Sequence, residues 1–138
     1  MIVLDTNVLS ELMRPAPAQK VVDWFGEHPA NGLYVTTLTV AEVLTGVALL
    51  PRGKRRAQLD LAARKMFEED FEERCLSFDS LAASHYAAIF SASQRAGRPM
   101  AAMDAQIAAI AHSRGAALAT RNIGDFEASG IELINPWG

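Results

Sequence analysis

The stretch MIVLDTNVLSEL, residues 1–12, carries the pattern on which the fold prediction rests. Its apolar run Ile2–Leu4 ends at Asp5 and predicts a short buried strand. Beyond Asp5, apolar residues recur at the spacing of one helix face, and they predict a short helix that ends at the proline-containing segment 14–17. The chain therefore begins with a strand, an acid at the end of that strand, and a helix.

The same pattern of a strand followed by helices recurs along the rest of the chain. We predict further strands at 33–37, 75–78, 116–120 and 131–134, which gives the order β-α-α-β-α-α-β-α-α-β-β. Strands that alternate with helices indicate an α/β fold of three layers, with a mostly parallel central sheet. No internal repeat or low-complexity linker divides the chain, so we expect a single domain over residues 1–138.

Length and composition exclude several classes of protein. The chain has 138 residues, half of them hydrophobic, and a formal net charge of −3. This composition excludes intrinsic disorder, and the only cysteine, Cys75, is expected to be buried and reduced. No apolar run reaches the ~18 residues that span a membrane, and the N-terminus lacks the basic region of a signal peptide, so we expect a cytoplasmic protein. The mild acidity argues against a charge-driven, non-specific nucleic-acid binder.

Acidic side chains lie at four of the predicted junctions between the sheet and the helices that follow. Asp5 follows the first strand, and Glu42 lies in the first turn of the helix that we expect Thr39 to cap. Asp104 lies in the first turn of a later helix, and Asp125 follows the fourth predicted strand. Because ligands of parallel sheets bind beyond the carboxyl ends of the strands, we expect these carboxylates at one edge of the sheet.

Each of these acids also has a purely structural explanation. Asp5 could cap a helix, Asp125 could occupy a turn, and Glu42 could complement a helix dipole. The dipole would also explain Asp104, but this acid stands among apolar residues, where an uncompensated carboxylate is costly to bury.

Several carboxylates at one edge of a sheet would repel one another unless a cation neutralised them. A donor set of oxygens alone favours Mg²⁺ or Mn²⁺ over zinc, and the three histidines show no ligand spacing. The sequence contains neither a Gly-x-Ser-x-Gly motif nor a glycine-rich phosphate loop followed by lysine. We therefore expect phosphoryl chemistry in which metal-bound water attacks the phosphate.

Four motifs resemble those of the PIN-domain nucleases, and more narrowly the VapC/FitB-like toxins of bacterial toxin–antitoxin pairs. They are MIVLDTNVLS around Asp5, TTLTVAEVLTG around Glu42, AAMDAQIAA around Asp104 and TRNIGDF around Asp125, and the closing NPW at 135–137 is also similar. The resemblance covers nearly the whole chain. It implies a PIN fold and an Mg²⁺- or Mn²⁺-dependent endoribonuclease toxin, with Asp5, Glu42 and Asp104 as the core metal ligands.

The same resemblance implies partners. It implies an RNA substrate and a small cognate antitoxin that carries its own DNA-binding region. It also implies assembly as homodimers or as dimers of heterodimers.

The chain departs from the family pattern at Asn122, where some FitB-like members carry an acid. We therefore expect Asp125 to supply the fourth carboxylate, although the Asn122 carbonyl could also reach a metal or its water. Thr6, Asn7 and Thr120 are candidates for groups that orient the ligands. Helix capping or hydrogen bonding at a strand end would explain these three residues equally well.

Basic residues are candidate contacts to a nucleic-acid backbone. Segment 52–56 holds four of them, and either a solvated loop or phosphate binding would explain it. Arg98 and Arg121 lie closer in sequence to the third and fourth acidic motifs, but either could instead pair with a surface acid.

Two other functions compete with the nuclease. A catalytically degenerate PIN domain would bind only RNA or a protein partner, and Asn122 favours it. A phosphotransfer receiver or a related phosphatase would need an Asp-x-Asp-x-Thr arrangement or a lysine late in the chain. Asn7 stands at the second acid position, and the last lysine is Lys65, so the sequence disfavours that class.

Overall fold

Five short strands and seven α-helices alternate along the chain, and the computed structural model describes all residues from 1 to 138. The strands are β1 (Ile2–Leu4), β2 (Leu33–Thr36), β3 (Cys75–Leu76), β4 (Ala117–Ala119) and β5 (Leu133–Ile134). The α-helices are α1 (Thr6–Leu12), α2 (Gln19–Gly26), α3 (Thr37–Ala48), α4 (Lys54–Lys65), α5 (Ser80–Arg95), α6 (Ala102–Ser113) and α7 (Ile123–Phe126). A π-helical turn continues α4 over Met66–Asp70, and single 3-10 turns occupy Ala30–Gly32 and Glu127–Ser129. The order agrees with the predicted one, with α7 as an additional short helix between the last two strands.

The five strands form one sheet in the order β3-β2-β1-β4-β5. β1 lies at its centre, where Ile2 is opposite Leu33 of β2 on one side and Ala117 of β4 on the other. Every neighbouring pair of strands is parallel. All carboxyl ends therefore lie at the same edge of the sheet, as the sequence pattern predicted.

Apolar side chains pack against both faces of the sheet. Val3 and Leu118 belong to a core that includes residues of α5 and α6. Leu4, the residue after Val3, belongs to a second core with residues of α1 and α2. This alternation follows from the pleat of a strand, which turns successive side chains to opposite faces. The helices thus cover the sheet on two sides, and the predicted three-layer α/β architecture is confirmed.

The start of α3 corrects one expectation. Thr36, the last residue of β2, is the N-cap, and its Oγ1 accepts a hydrogen bond of 3.2 Å from the N–H of Thr39. The strand therefore runs directly into the helix, and the prediction that Thr39 is the cap was wrong. Glu42 accordingly lies beyond the first turn of α3, which contains no acid.

Two further features concern the edge and the exterior of the fold. Cys75 lies in β3 at the edge of the sheet and is exposed, so the expectation of a buried cysteine was wrong. Leu76, the next residue of β3, is buried instead, because successive side chains of a strand point to opposite faces of the sheet. None of the helices combines the length and the apolar character that crossing a membrane requires.

Candidate active site

Asp5 is fixed where the central strand meets its first helix. Its backbone N–H donates to the carbonyl of Ala119 at 2.9 Å, which continues the pairing of β1 with β4. Its Oδ1 accepts the N–H of Thr6 at 2.8 Å and caps α1, while Oδ2 accepts the hydroxyl of Thr120 at 2.9 Å. Burial raises the pKa of Asp5 above its ordinary value, although these hydrogen bonds act in the opposite direction. The carboxylate is thus both a helix cap and a buried charge.

Glu42 reaches the same edge of the sheet through a threonine network. The hydroxyl of Thr6 donates to Glu42 Oε1 at 2.8 Å. The same hydroxyl lies 3.1 Å from that of Thr39, which is buried at the start of α3. Because Thr6 gives its single hydroxyl proton to Glu42, Thr39 is the donor to Thr6. The network ties α1 to α3 and directs the exposed Glu42 carboxylate toward Asp5.

Asp104 and Asp125 form the other half of the acidic cluster. Both line a cavity of about 370 Å³, into which the first turn of α6 and the short helix α7 each contribute one carboxylate. Burial and, to a lesser degree, the negative charges of Asp5, Asp125 and Glu42 together raise the pKa of Asp104 to about 6. The four predicted carboxylates therefore lie within one another's electric field, as their positions after the strands led us to expect.

The groups predicted to orient the ligands divide into two kinds. The Asn7 amide donates to Asp5 Oδ2 at 3.3 Å, and its carbonyl oxygen accepts the N–H of Arg121 at 3.3 Å. Thr120 is fully buried and accepts the N–H of Asn122 at 3.1 Å. Asn122 thus contacts Thr120 through its backbone N–H, while its exposed side chain forms no hydrogen bond within the protein. Thr6, Asn7 and Thr120 thus contact carboxylates directly, and the Asn122 side chain does not.

The donor set determines which metal these residues could hold. No group of three His, Cys, Asp or Glu side chains is arranged to hold a metal ion by itself. Mg²⁺ usually retains several waters and uses only one or two carboxylates together with substrate phosphates. After burial, the charges of the other three carboxylates contribute to the raised pKa of Asp104, and a cation would relieve that repulsion. The residues therefore fit a partly hydrated hard cation rather than a fully protein-coordinated one.

The candidate basic residues lie in different surroundings. Arg98 lines the cavity that holds Asp104 and Asp125. Its guanidinium pairs with Glu127, with Nη2 and Oε2 2.5 Å apart. The guanidinium of Arg121 lies over the Trp137 ring, 5.0 Å from its centroid, and two arginines of segment 52–56 line a separate cavity beside α4. Arg98 was predictable from the sequence, whereas its partner Glu127 was not, because an acid on a separate 3-10 turn carries no local sign of its partner.

The chain is similar to known proteins over nearly its whole length. The sequence profile of the family described as PIN domain matches residues 2–128. The chain is 44% identical over 137 residues to the plasmid stability protein StbB of Pseudomonas syringae pv. tomato, with 99% of both chains covered. It is 40% identical to the toxin FitB of Neisseria gonorrhoeae, again over 99% of both chains. It is 38% identical to the VapC ribonuclease Y4jK of Sinorhizobium fredii, over 99% of this chain and 98% of that protein.

Solved structures show the same likeness in three dimensions. A chain in the structure of FitAB bound to an IR36 DNA fragment superposes with a TM-score of 0.95 at 40% identity, covering 100% of this chain and 96% of that one. A chain in the crystal structure of FitAcB from Neisseria gonorrhoeae superposes with a TM-score of 0.88 at 38% identity, covering 99% of both.

Proposed function

Because the chain belongs to the PIN domain family, we propose that it is a metal-dependent endoribonuclease that acts as a toxin and is neutralised by a cognate antitoxin. The observation that carries the proposal is the gathering of four carboxylates, from four separate junctions, at the carboxyl edge of one parallel sheet. The names of two relatives, a VapC ribonuclease and the toxin FitB, agree with this function over nearly the full chain length.

The four carboxylates share one part in the proposed site, which is to hold the metal ion. Asp5, Glu42, Asp104 and Asp125 would hold Mg²⁺ or Mn²⁺, directly or through the waters of the ion, which when bound activates a water and offsets the charge of the phosphate. Thr120 and the N–H of Thr6 hold the two oxygens of Asp5 in place. Because the pKa of Asp104 is about 6, this carboxylate is largely ionised at pH 7 and is available as a ligand.

No protein side chain is needed as a covalent nucleophile in this scheme. The hydroxyls of Thr6 and Thr120, which lie nearest to the carboxylates, already donate their protons to Glu42 and Asp5. They therefore orient the acids instead of attacking the phosphate. The attacking group is water, which a metal ion held by carboxylates would activate.

Cleavage of RNA by the purified protein tests the proposal. With Mg²⁺ or Mn²⁺, the wild type should cleave total RNA, and Asp104→Asn should reduce the rate at least about 100-fold. Asp23→Asn is the matched control, because Asp23 is an exposed acid on α2 whose carboxylate accepts a hydrogen bond only from Gln19. An Asp104→Asn protein that cleaves as fast as the control would contradict the assignment, and a wild type that cuts no RNA with either metal would contradict the function.

Neutralisation by an antitoxin requires a surface that a second protein can bury. Similar solved structures are complexes, FitAB and FitAcB. In this chain, a groove of about 500 Å³ between α1, α2 and the π-helical turn is lined mostly by apolar side chains. The lining residues are Leu9, Leu12, Met13, Phe25, Ala30, Leu33, Met66, Asp70, Phe71 and Arg74. We assign this groove to an apolar segment of the antitoxin, because its wall is mostly apolar and a partner would complete the burial of the half-buried Leu12, Phe25 and Met66.

Co-expression tests this assignment. The short reading frame expected beside the gene should restore growth to cells that produce the wild type. Leu12→Asp, a half-buried position at the groove, should prevent this rescue. Leu49→Asp is the control, because Leu49 is 81% exposed and lies outside the groove. Equal rescue of both variants would show that the antitoxin binds elsewhere.

A catalytically inactive PIN domain that only binds RNA or a protein is the alternative. The observation that favours it is the lack of any three acidic side chains arranged to hold one ion. Calorimetric titration with Mn²⁺ separates the two functions, since an inactive domain should release no binding heat. Binding that is lost in Asp104→Asn and kept in Asp23→Asn would exclude the alternative.

A further inference from the structure

Arg98 is the one basic residue that lines the cavity beside the acidic cluster. The cavity wall consists of Arg98, Pro99, Met100, Ala101, Asp104, Gly124, Asp125 and Ala128. A polyanionic substrate that enters here meets the negative charges of Asp104 and Asp125, which repel it. A bound divalent ion reduces that repulsion at the reacting phosphate only. The cavity therefore needs a further positive charge for the neighbouring part of an RNA backbone, and Arg98 is the residue in position to supply it.

The backbone of Arg98 is fixed, whereas its side chain is free to exchange partners. The Arg98 N–H donates to the carbonyl of Ser93 at 3.0 Å, just after Gly97 with its φ of +70° ends the α5 segment. Two residues later, the buried Met100 N–H donates to Ser93 Oγ at 3.4 Å. The guanidinium, in contrast, is 55% exposed and contacts Glu127, whose side chain is 50% exposed. A solvent-exposed pair of this kind contributes little to stability, so little free energy is lost when the Arg98 guanidinium leaves Glu127 for a phosphate.

We infer that Arg98 binds an RNA phosphate adjacent to the cleaved bond, and that the Arg98 guanidinium pairs with Glu127 when RNA is absent. This inference rests on the proposed ribonuclease function. A planar guanidinium binds phosphate with two parallel hydrogen bonds, so Arg98 fixes the register of the strand over the carboxylates. Glu127 holds the guanidinium at the cavity in the free protein and competes with the incoming phosphate. The two side chains thus have opposite effects on RNA binding.

The salt dependence of RNA binding tests this inference directly. The probe is a fluorescent single-stranded RNA, and anisotropy is measured with Ca²⁺ in place of Mn²⁺ at several salt concentrations, with a gel to verify that the RNA stays intact. Arg98→Ala should weaken binding about tenfold. It should also lower the slope of log K against log salt by about 0.7, the value for one phosphate contact on a single strand. Arg98→Lys should keep the slope and recover part of the affinity, since lysine keeps the charge without the planar fork.

Glu127→Gln should act in the opposite direction. Removal of the competing carboxylate should tighten binding about threefold in the wild-type background. It should have no effect in the Arg98→Ala background, because no guanidinium remains to be released. An equal gain in both backgrounds would show that Glu127 acts only as a general negative charge, and it would overturn its role as competitor.

Arg114→Ala is the matched control for loss of a surface arginine. Arg114 pairs with Asp79 at 3.5 Å and follows the C-terminus of α6, whereas Asp104 lies in the first turn of that helix. This control should bind the oligonucleotide with the wild-type slope. If the wild type binds and cleaves RNA but Arg98→Ala keeps its slope, the inference about Arg98 fails and the proposed function stands. If the wild type neither binds nor cleaves RNA, both fail.

Discussion

Replacement of Asp104 by asparagine should stabilise the metal-free protein at neutral pH while it abolishes cleavage. Asp104 is partly buried in the first turn of α6, and Asp5, Asp125 and Glu42 all oppose its ionisation. At pH 7.5 the carboxyl is ionised in both the folded and the unfolded chain, and only the folded chain bears the burial and the repulsion. Asparagine has nearly the same shape and no charge, so it removes this penalty.

The magnitude follows from the pKa of Asp104. A rise from 3.8 to about 6 corresponds to about 3 kcal/mol for a carboxyl wholly shielded from water. Asp104 retains solvent contact, and screening at such a site reduces the effect to about 1 kcal/mol. The melting temperature of a chain of this length should then rise by roughly 3–5 °C. Addition of Mn²⁺ should raise the melting temperature of the wild type above that of Asp104→Asn, because the ion binds to and stabilises the folded wild type.

The pH dependence identifies the cause of the gain. The folded chain holds the Asp104 proton more tightly than the unfolded chain, so the stability of the wild type falls as pH rises from about 4 to about 6. The Asp104→Asn variant lacks this loss. Its advantage should be complete above pH 7 and absent below pH 4, where Asp104 is protonated in both states.

Thermal unfolding in EDTA at pH 4 and pH 7.5 measures both effects, with Asp23→Asn as the control for loss of one surface charge. An Asp104→Asn protein that is less stable than the wild type at pH 7.5 would refute the reasoning. An equal gain at both pH values would do the same, since it would point to packing rather than charge.

Two further variants test the groups that hold the carboxylates and the first helix. Thr120→Val should cost about 2 kcal/mol in urea unfolding, because it removes the hydroxyl that donates to the buried Asp5 carboxylate, whereas Thr120→Ser should cost less than half of that. A Thr120→Val protein as stable as Thr120→Ser would show that this hydrogen bond is not needed. At Glu11, the backbone N–H of Ala18 holds the pKa of the buried carboxyl below its ordinary 4.5. The stability that Glu11 contributes is therefore present above pH 4.5 and lost as pH falls through the lower pKa of the folded chain. The urea midpoint of Glu11→Gln should accordingly depend less on pH than that of the wild type between pH 2 and pH 5.

The sequence was informative about local pattern and less so about distant pairing. The strand after Met1 and the helix around Asp104 were predictable, because apolar spacing and flanking residues act over a few positions. The central place of β1 between β2 and β4 was not predictable, because it depends on contacts between residues far apart in the chain. The cap of α3 was misplaced for a similar reason. Both Thr36 and Thr39 are acceptable caps, and only the point where β2 stops selects Thr36.

The structural and the functional explanations of Asp5 turn out to be compatible. Helix capping occupies one lone pair of Oδ1, and the contact with Thr120 occupies one of Oδ2. Oδ2 also accepts the Asn7 amide at 3.3 Å, whereas the second lone pair of Oδ1 remains open to a cation. The hydrogen bonds fix the direction of the open Oδ1 lone pair and leave it available. A residue that both caps a helix and ends a central strand is therefore held more rigidly than a ligand on a free loop, and that rigidity is what a metal site requires of its first carboxylate.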